Sequence, residues 1–412
     1  MIALAFLLMA QTASQPPARE QARSVVMTRY GIVAASQTLA AAAGAKVLEQ
    51  GGNAVDAAIA ANAVLGLVEP TGNGIGGDLF AIVYEAASGK VHGLNASGWA
   101  PAGLTPEFLE AQGLKKMPQL GIHSVTVPGA VAGWDALHRK FGRMEWARLF
   151  APAITYAEEG FPLTELIAGP KGWGAVSVLK NNPRAQEVYW PGGKPPQAGD
   201  IFRNPLLAKS LRLIASERRD AFYKGPIAQA ILEASAETGG AFTAADLAEF
   251  EPEWVEPVST TYRGWTVYEL PPNGQGVAAL EMLNIMERFP LRQWGHNSAR
   301  TLHVMIEAKK LAYADLLQYV GDPRFSRIPA AEIVSKELAE KRAALIHPAK
   351  AACLVTPASL QSIAATPGAD TIYLSAVDAE GNIVSLIQSN YMGFGSGVVP
   401  PGAGFMLQNR GA

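Results

Sequence analysis

Thr371 and Ser389 carry the sharpest chemical pattern in this 412-residue chain. Strand-like runs, Ile372 to Val377 and Ile383 to Ser389, flank Asp378-Ala379-Glu380-Gly381-Asn382. A three-residue loop, Ala379 to Gly381, with glycine at its left-handed position is a common hairpin connection. That register pairs Asp378 with Asn382 and sets Thr371 across from Ser389, with Cβ atoms roughly 5 Å apart on one face. If the peptide bond before Thr371 is cut, the freed α-amino group, with a pKa of about 8, becomes a general base for the threonine's own hydroxyl. Such a nucleophile needs neither histidine nor metal. The alternative on the same residues is an ordinary cross-strand Thr–Ser pair, because threonine favours strands.

The other reactive residues offer less. The histidines are His92, His123, His138, His296, His303 and His347. The nearest two, His296 and His303, would stand about 10 Å apart along a helix. There is no HExxH and no cysteine pair, so no metal is expected. Cys353, the only cysteine, lies in Ala351-Ala352-Cys353-Leu354 with no histidine nearby and reads as an unreactive thiol. Gly395-Ser396-Gly397 is the nearest approach to a GxSxG elbow and reads as a turn. Gly72, Gly74 and Gly77 match GxGxxG formally, but the predicted helix precedes them and the strand follows. A dinucleotide site needs the reverse order and an acidic residue further on, and none lies between Glu85 and Glu107. Those glycines suit a tight turn or a close backbone approach. No cofactor is expected.

The elements that must position these residues are legible in outline. Asn53 to Val68 reads as a capped, buried helix, closed by Glu69-Pro70. Leu79 to Tyr84 and Val91 to Asn95 form a plausible strand hairpin. Helices are expected over Pro128 to Phe141 and over Trp146 to Glu159, the latter interrupted by Pro152. The texture continues through Pro205 to Ser216, Ile227 to Thr238 and Ala244 to Phe250. A strand, Val267 to Leu270, runs into Pro271-Pro272-Asn273-Gly274-Gln275-Gly276, and Ser298 to Val320 is the longest helix candidate. From Ala351 to Ala369 there is no charged residue, and the stretch reads as a tether or exposed loop.

Composition bounds the class. With 49% hydrophobic and 17% charged residues, intrinsic disorder is excluded. A net charge of −2 argues against a nucleic-acid or anionic-membrane surface. Ile2 to Ala10 is an apolar run too short to span a bilayer, followed by small residues. It reads as a signal peptide within residues 1–20, although no Lys or Arg precedes it. A periplasmic or secreted location is therefore expected, with a cytoplasmic one as the alternative.

Taken together, the residues resemble the γ-glutamyltransferases (glutathione hydrolases) and their cephalosporin-acylase-like relatives, which are N-terminal-nucleophile hydrolases. The carriers are Gly51-Gly52-Asn53-Ala54-Val55-Asp56-Ala57-Ala58, Gly74-Ile75-Gly76-Gly77-Asp78 and Val127-Pro128-Gly129-Ala130-Val131-Ala132-Gly133. Further on come Glu307 to Asp315, Gly321-Asp322-Pro323, Asp370-Thr371, Gly381-Asn382 and Gly393-Phe394-Gly395-Ser396-Gly397. The resemblance implies an α+β, four-layer αββα fold and a precursor that cuts itself between Asp370 and Thr371. Thr371 would then be the nucleophile and Ser389 the hydroxyl that orients it. It also implies a large subunit over 21–349, a tether over 350–370 and a small subunit from 371. The implied partners are a γ-glutamyl or related acyl amide, glutathione-like, and water or an amine as acceptor.

Three positions depart from the family pattern. Ser97 stands where an arginine would clamp the glutamyl carboxylate, Tyr391 where an asparagine is usual, and Arg410 where a glutamine is usual. Losing a bidentate carboxylate clamp favours amide hydrolysis over efficient glutathione turnover. Residues 371–412 are only 42 residues, and the resemblance implies a small subunit several times longer. A C-terminally truncated precursor is therefore expected, with sheet strands and oxyanion donors lacking. The rival readings are a non-catalytic scaffold or inactive fragment that binds a small molecule without turnover, and a nucleotide-dependent α/β enzyme.

Overall fold

Asn53 organises the centre of the molecule. In the computed structural model, which describes residues 25–168, 173, 177–180, 182–360 and 371–412, it caps helix α2 (Ala54–Val68), following α1 (Thr38–Glu49). Its Oδ1 accepts from the Val55 and Asp56 amides, each at 3.0 Å, and Asp56 accepts in return from the Asn53 amide at 3.0 Å. This reciprocal cap satisfies amide groups that a helix start leaves unpaired. All 15 residues of α2 are buried, as its uninterrupted Ala, Val, Ile and Leu content requires.

The helix lies against a six-stranded antiparallel sheet. Its strands are β1 (Gly31–Ala35), β2 (Asp78–Glu85), β3 (Lys90–Ala96), β4 (Glu253–Val255), β7 (Ile372–Asp378) and β8 (Ile383–Ser389), in the spatial order β1-β7-β8-β2-β3-β4. The β7–β8 register pairs Val377 with Ile383 and Ile372 with Gln388, as the hairpin pattern predicts. Gly381 takes φ 87°, and the Asp378 amide donates to the Asn382 carbonyl at 3.1 Å. One face of the sheet buries Leu374, Leu386, Ala81 and Leu94 beneath the helices. The other face leaves Ile32, Tyr373 and Ile383 exposed. The class is α+β, with mixed helices around an antiparallel sheet. Among the described residues this is the only sheet of more than two strands.

A second, helical region carries two smaller cores. It contains the hairpin β5 (Val258–Tyr262) and β6 (Trp265–Glu269), and helices α4 (Gly276–Glu287), α5 (Ala299–Tyr319) and α6 (Lys336–Ala343). The expected helix over Trp146 to Glu159 is split into a 3-10 turn (Trp146–Leu149) and helix α3 (Ala151–Glu159). Pro152 sits in the first turn of that helix, where its missing N–H costs nothing. Of the expected tether, residues 350–360 are described, and most of them are exposed. Residues 351–360 have no secondary structure but are pinned to α5 and α6 by hydrogen bonds. Asp370, the last ten residues of the tether and the leader lie outside the described residues.

Candidate active site

Strand ends bring the site together. Thr371 precedes β7 and is exposed, whereas Ser389 closes β8 and is buried. Thr371 Oγ1 donates to Ser389 Oγ at 3.2 Å, and Ser389 Oγ accepts from the Tyr391 amide at 2.8 Å. Tyr391 adopts φ 74°, a left-handed conformation costly for a bulky residue and concentrated at functional sites. The turn aims its ring at Arg410, whose guanidinium lies 4.7 Å from the ring centroid.

The next strand adds a charge. Asp78 is the ladder partner of Ser389 and is buried. Its Oδ2 accepts from Arg410 Nε at 2.9 Å, and its Oδ1 accepts weakly from the Gly98 amide at 3.4 Å. Burial raises the Asp78 carboxyl above its ordinary value, and Arg410 pulls against that rise. The preceding glycines have a physical reason in this place. A Cβ on Gly77 would stand 2.5 Å from the Ser389 carbonyl oxygen, so only glycine lets β2 enter beside Ser389. The run serves backbone approach and not a nucleotide: α2 precedes it and β2 follows it.

Ser97 is held in a ring of three side chains. Its Oγ donates to Asn95 Oδ1 at 2.9 Å and accepts from Asn273 Nδ2 at 2.8 Å, and Asn95 Nδ2 donates to Asn273 Oδ1 at 3.0 Å. The ring uses the Ser97 proton internally and ties the sheet to the Leu270–Gly276 loop. No guanidinium stands at this position.

All five of Thr371, Ser389, Ser97, Tyr391 and Arg410 line one cavity of about 590 Å³. That volume suits a small molecule. Its apolar walls are Ile82 and Ile387 from the sheet, and Leu270, Met282 and Leu316 from the helical region. Asp78, Asn273 and Glu269 line it too, and sequence reasoning gave none of them a role. Asp78 and Asn273 stood within quoted motifs. Only a pairing more than 300 residues apart in sequence could have placed Asp78 opposite Ser389. Among the described residues, no group of three or more His, Cys, Asp or Glu side chains converges on a metal position. No described helix is long and apolar enough to cross a membrane.

Fold and site thus define an α+β protein with a threonine–serine hydroxyl pair lining a cavity of small-molecule size. The profile of the gamma-glutamyltranspeptidase family matches residues 40–412. The chain is 37% identical over 393 residues to the glutathione hydrolase-like YwrD proenzyme of Bacillus subtilis, covering 95% of this chain and 72% of that protein. It is 33% identical to the glutathione hydrolase proenzyme of Escherichia coli, covering 93% of this chain and 67% of that one. The crystal structure of a cephalosporin acylase from Bacillus halodurans superposes with a TM-score of 0.85 at 42% identity, over 98% of this chain and 73% of its own. The chain belongs to the gamma-glutamyltranspeptidase family, which includes glutathione hydrolases and acylases.

Proposed function

We propose that the protein is an autoprocessing threonine amidohydrolase or acyltransferase of the four-layer N-terminal-nucleophile type, acting on γ-glutamyl or related acyl amides through Thr371. The observation that carries this reading is the 3.2 Å contact between the Thr371 and Ser389 hydroxyls in the cavity lining. In the uncut chain, Thr371 Oγ attacks the Asp370 carbonyl carbon. The C–N bond breaks, the hydroxyl proton passes to the Thr371 nitrogen, and an ester links the two segments. Water hydrolyses that ester, leaving the Asp370 carboxylate and a free Thr371 α-amine. In turnover, Oγ attacks the substrate acyl carbon while the α-amine takes its proton and returns it to the leaving amine. Water or an acceptor amine then releases the acyl group. Ser389 holds the Thr371 hydroxyl in one orientation throughout.

Among the described residues lining the cavity, the ring around Ser97 and the Asp78–Arg410 pair leave no unpaired guanidinium to clamp a glutamyl carboxylate. This supports hydrolysis of other amides over glutathione turnover. Intact mass and N-terminal sequencing of the purified protein test the reading: a new N-terminus at Thr371 is expected, with none in Thr371→Ala. The same single band from both proteins overturns it. A kcat/KM on γ-glutamyl anilide equal to that of an efficient glutathione hydrolase overturns the preference.

A further inference from the structure

Among the described residues, three charged side chains line the cavity: Asp78, Arg410 and Glu269. Asp78 and Arg410 answer each other at 2.9 Å. Glu269 has no such partner. It closes β6 and enters the loop whose Asn273 reaches Ser97. The loop folds back over it: a Cβ on Gly276 would stand 2.7 Å from Glu269 Cβ and 2.9 Å from its Oε2. Leu270, Met282 and Leu316 form the apolar wall on this side. Burial lifts the Glu269 carboxyl above its ordinary value, and no charged neighbour opposes that rise. A half-buried carboxylate among apolar walls gains most from a ligand that brings a positive charge with N–H donors.

Resting on the function proposed above, we infer that Glu269 is a specificity-determining residue that selects an ammonium group on the substrate amide. An acyl carboxylate is disfavoured twice: Glu269 repels it, and the guanidinium of Arg410 is already paired with Asp78. The ammonium belongs either to the acyl part or to the amine part of the amide, and substrates of matched shape separate these sources. In the acyl arm, 4-aminobutyryl, valeryl and glutaryl p-nitroanilides differ only in a terminal ammonium, methyl or carboxylate. In the amine arm, N-valeryl-1,3-diaminopropane is compared with N-valeryl-butylamine.

In one arm the ammonium compound is expected to show a KM about tenfold lower than its neutral counterpart, the scale of one charge-assisted hydrogen bond. Glu269→Gln removes that advantage and brings the KM values of the ammonium and neutral compounds together. Glu269→Lys turns the preference towards glutaryl. Unchanged selectivity in Glu269→Gln overturns the inference, as does a wild-type preference for glutaryl over valeryl. If no compound is turned over, the catalytic reading fails separately. Calorimetric binding of pentylamine, pentanol and valerate then decides the role of Glu269, with pentylamine about tenfold tighter in wild type only. Equal binding of the three overturns it.

Discussion

Two buried carboxylates, Asp56 beneath the sheet and Glu281 in the helical region, are both fully shielded from solvent and live in opposite circumstances. Asp56 accepts from the backbone amides of Asn53, Arg143 and Met144, the last at 2.9 Å. Its acceptor capacity is filled by rigid donors from two elements. Glu281 shares its pocket with Asp315 and a single arginine. Arg342 Nη2 bonds Asp315 Oδ1 at 2.7 Å, while its Nε lies 3.8 Å from Glu281. Burial, with Asp315 adding and Arg342 opposing, pushes Glu281 up to about 10. Glu281 therefore holds its proton at neutral pH.

The contrast separates two tasks. The sheet region spends its buried polar groups on its own geometry, which fixes Asp78, Ser389 and Thr371 on adjacent strands. The helical region spends its polar groups on a segment with no secondary structure of its own. Lys310 Nζ donates to the Ala352 carbonyl at 2.6 Å, Arg342 Nη1 to the Thr356 carbonyl at 2.8 Å, and the Ala358 amide to Asp315 at 2.5 Å. Tyr319 OH accepts from the Leu360 amide at 2.8 Å. One region presents Thr371, and the other grips the strap of residues 351–360, which comes before it in the chain.

The largest expected effect comes from breaking that grip. Arg342→Ala leaves Asp315 buried without its counter-charge and unties Thr356. A loss of about 3–5 kcal/mol is expected, the usual cost of removing one partner of a buried pair. Denaturant unfolding measures it, and limited proteolysis should show earlier cutting between residues 350 and 360. If Arg342→Ala is as stable as wild type, the network is not what holds the segment. A smaller effect is expected in the sheet region. Ser389→Ala removes the hydroxyl that accepts from Thr371 Oγ1 and leaves the β8 backbone pairing intact. Self-cleavage, followed by gel densitometry against time, should slow about tenfold, the effect of one hydrogen bond. The melting temperature should move little. A Ser389→Ala protein that cleaves at the wild-type rate makes the hydroxyl pair an ordinary strand contact.

The two regions were also unequally legible in the sequence. The Thr371–Ser389 pairing follows from 19 contiguous residues, because a short loop with glycine at a left-handed position dictates its own register. The capped helix at Asn53 is legible for the same reason of locality. The Asp78–Arg410 pair is not, since it depends on which strand β8 chooses as its second neighbour. The strap's irregular, largely exposed course agrees with its uncharged composition, but its attachments are not legible there. Its attachments run through its backbone amides and carbonyls, which are the same in every sequence. Glu281 and Asp315 look like polar positions on amphipathic helices, and only the packing of α4 against α5 and α6 turns them inward.

The smallest prediction sharpens the comparison through pH. A carboxyl raised on folding binds its proton more tightly in the native than in the unfolded state. Its stabilising contribution is full below the ordinary carboxyl range and declines as pH rises through the folded value, here up to about 10. Glu281→Gln keeps a neutral side chain of similar shape and removes the titration. Melting temperatures between pH 5 and 10 should therefore fall less steeply with pH in Glu281→Gln than in wild type. The two proteins should be about equally stable at the acid end, where Glu281 is protonated folded and unfolded alike, with Glu281→Gln increasingly the more stable as pH rises. The retained strap should show the same effect locally, with proteolysis at residues 350–360 rising with pH in wild type and staying flatter in the variant. Parallel pH curves for the two proteins would mean that Arg342 compensates both acids, leaving the helical region as settled as the sheet.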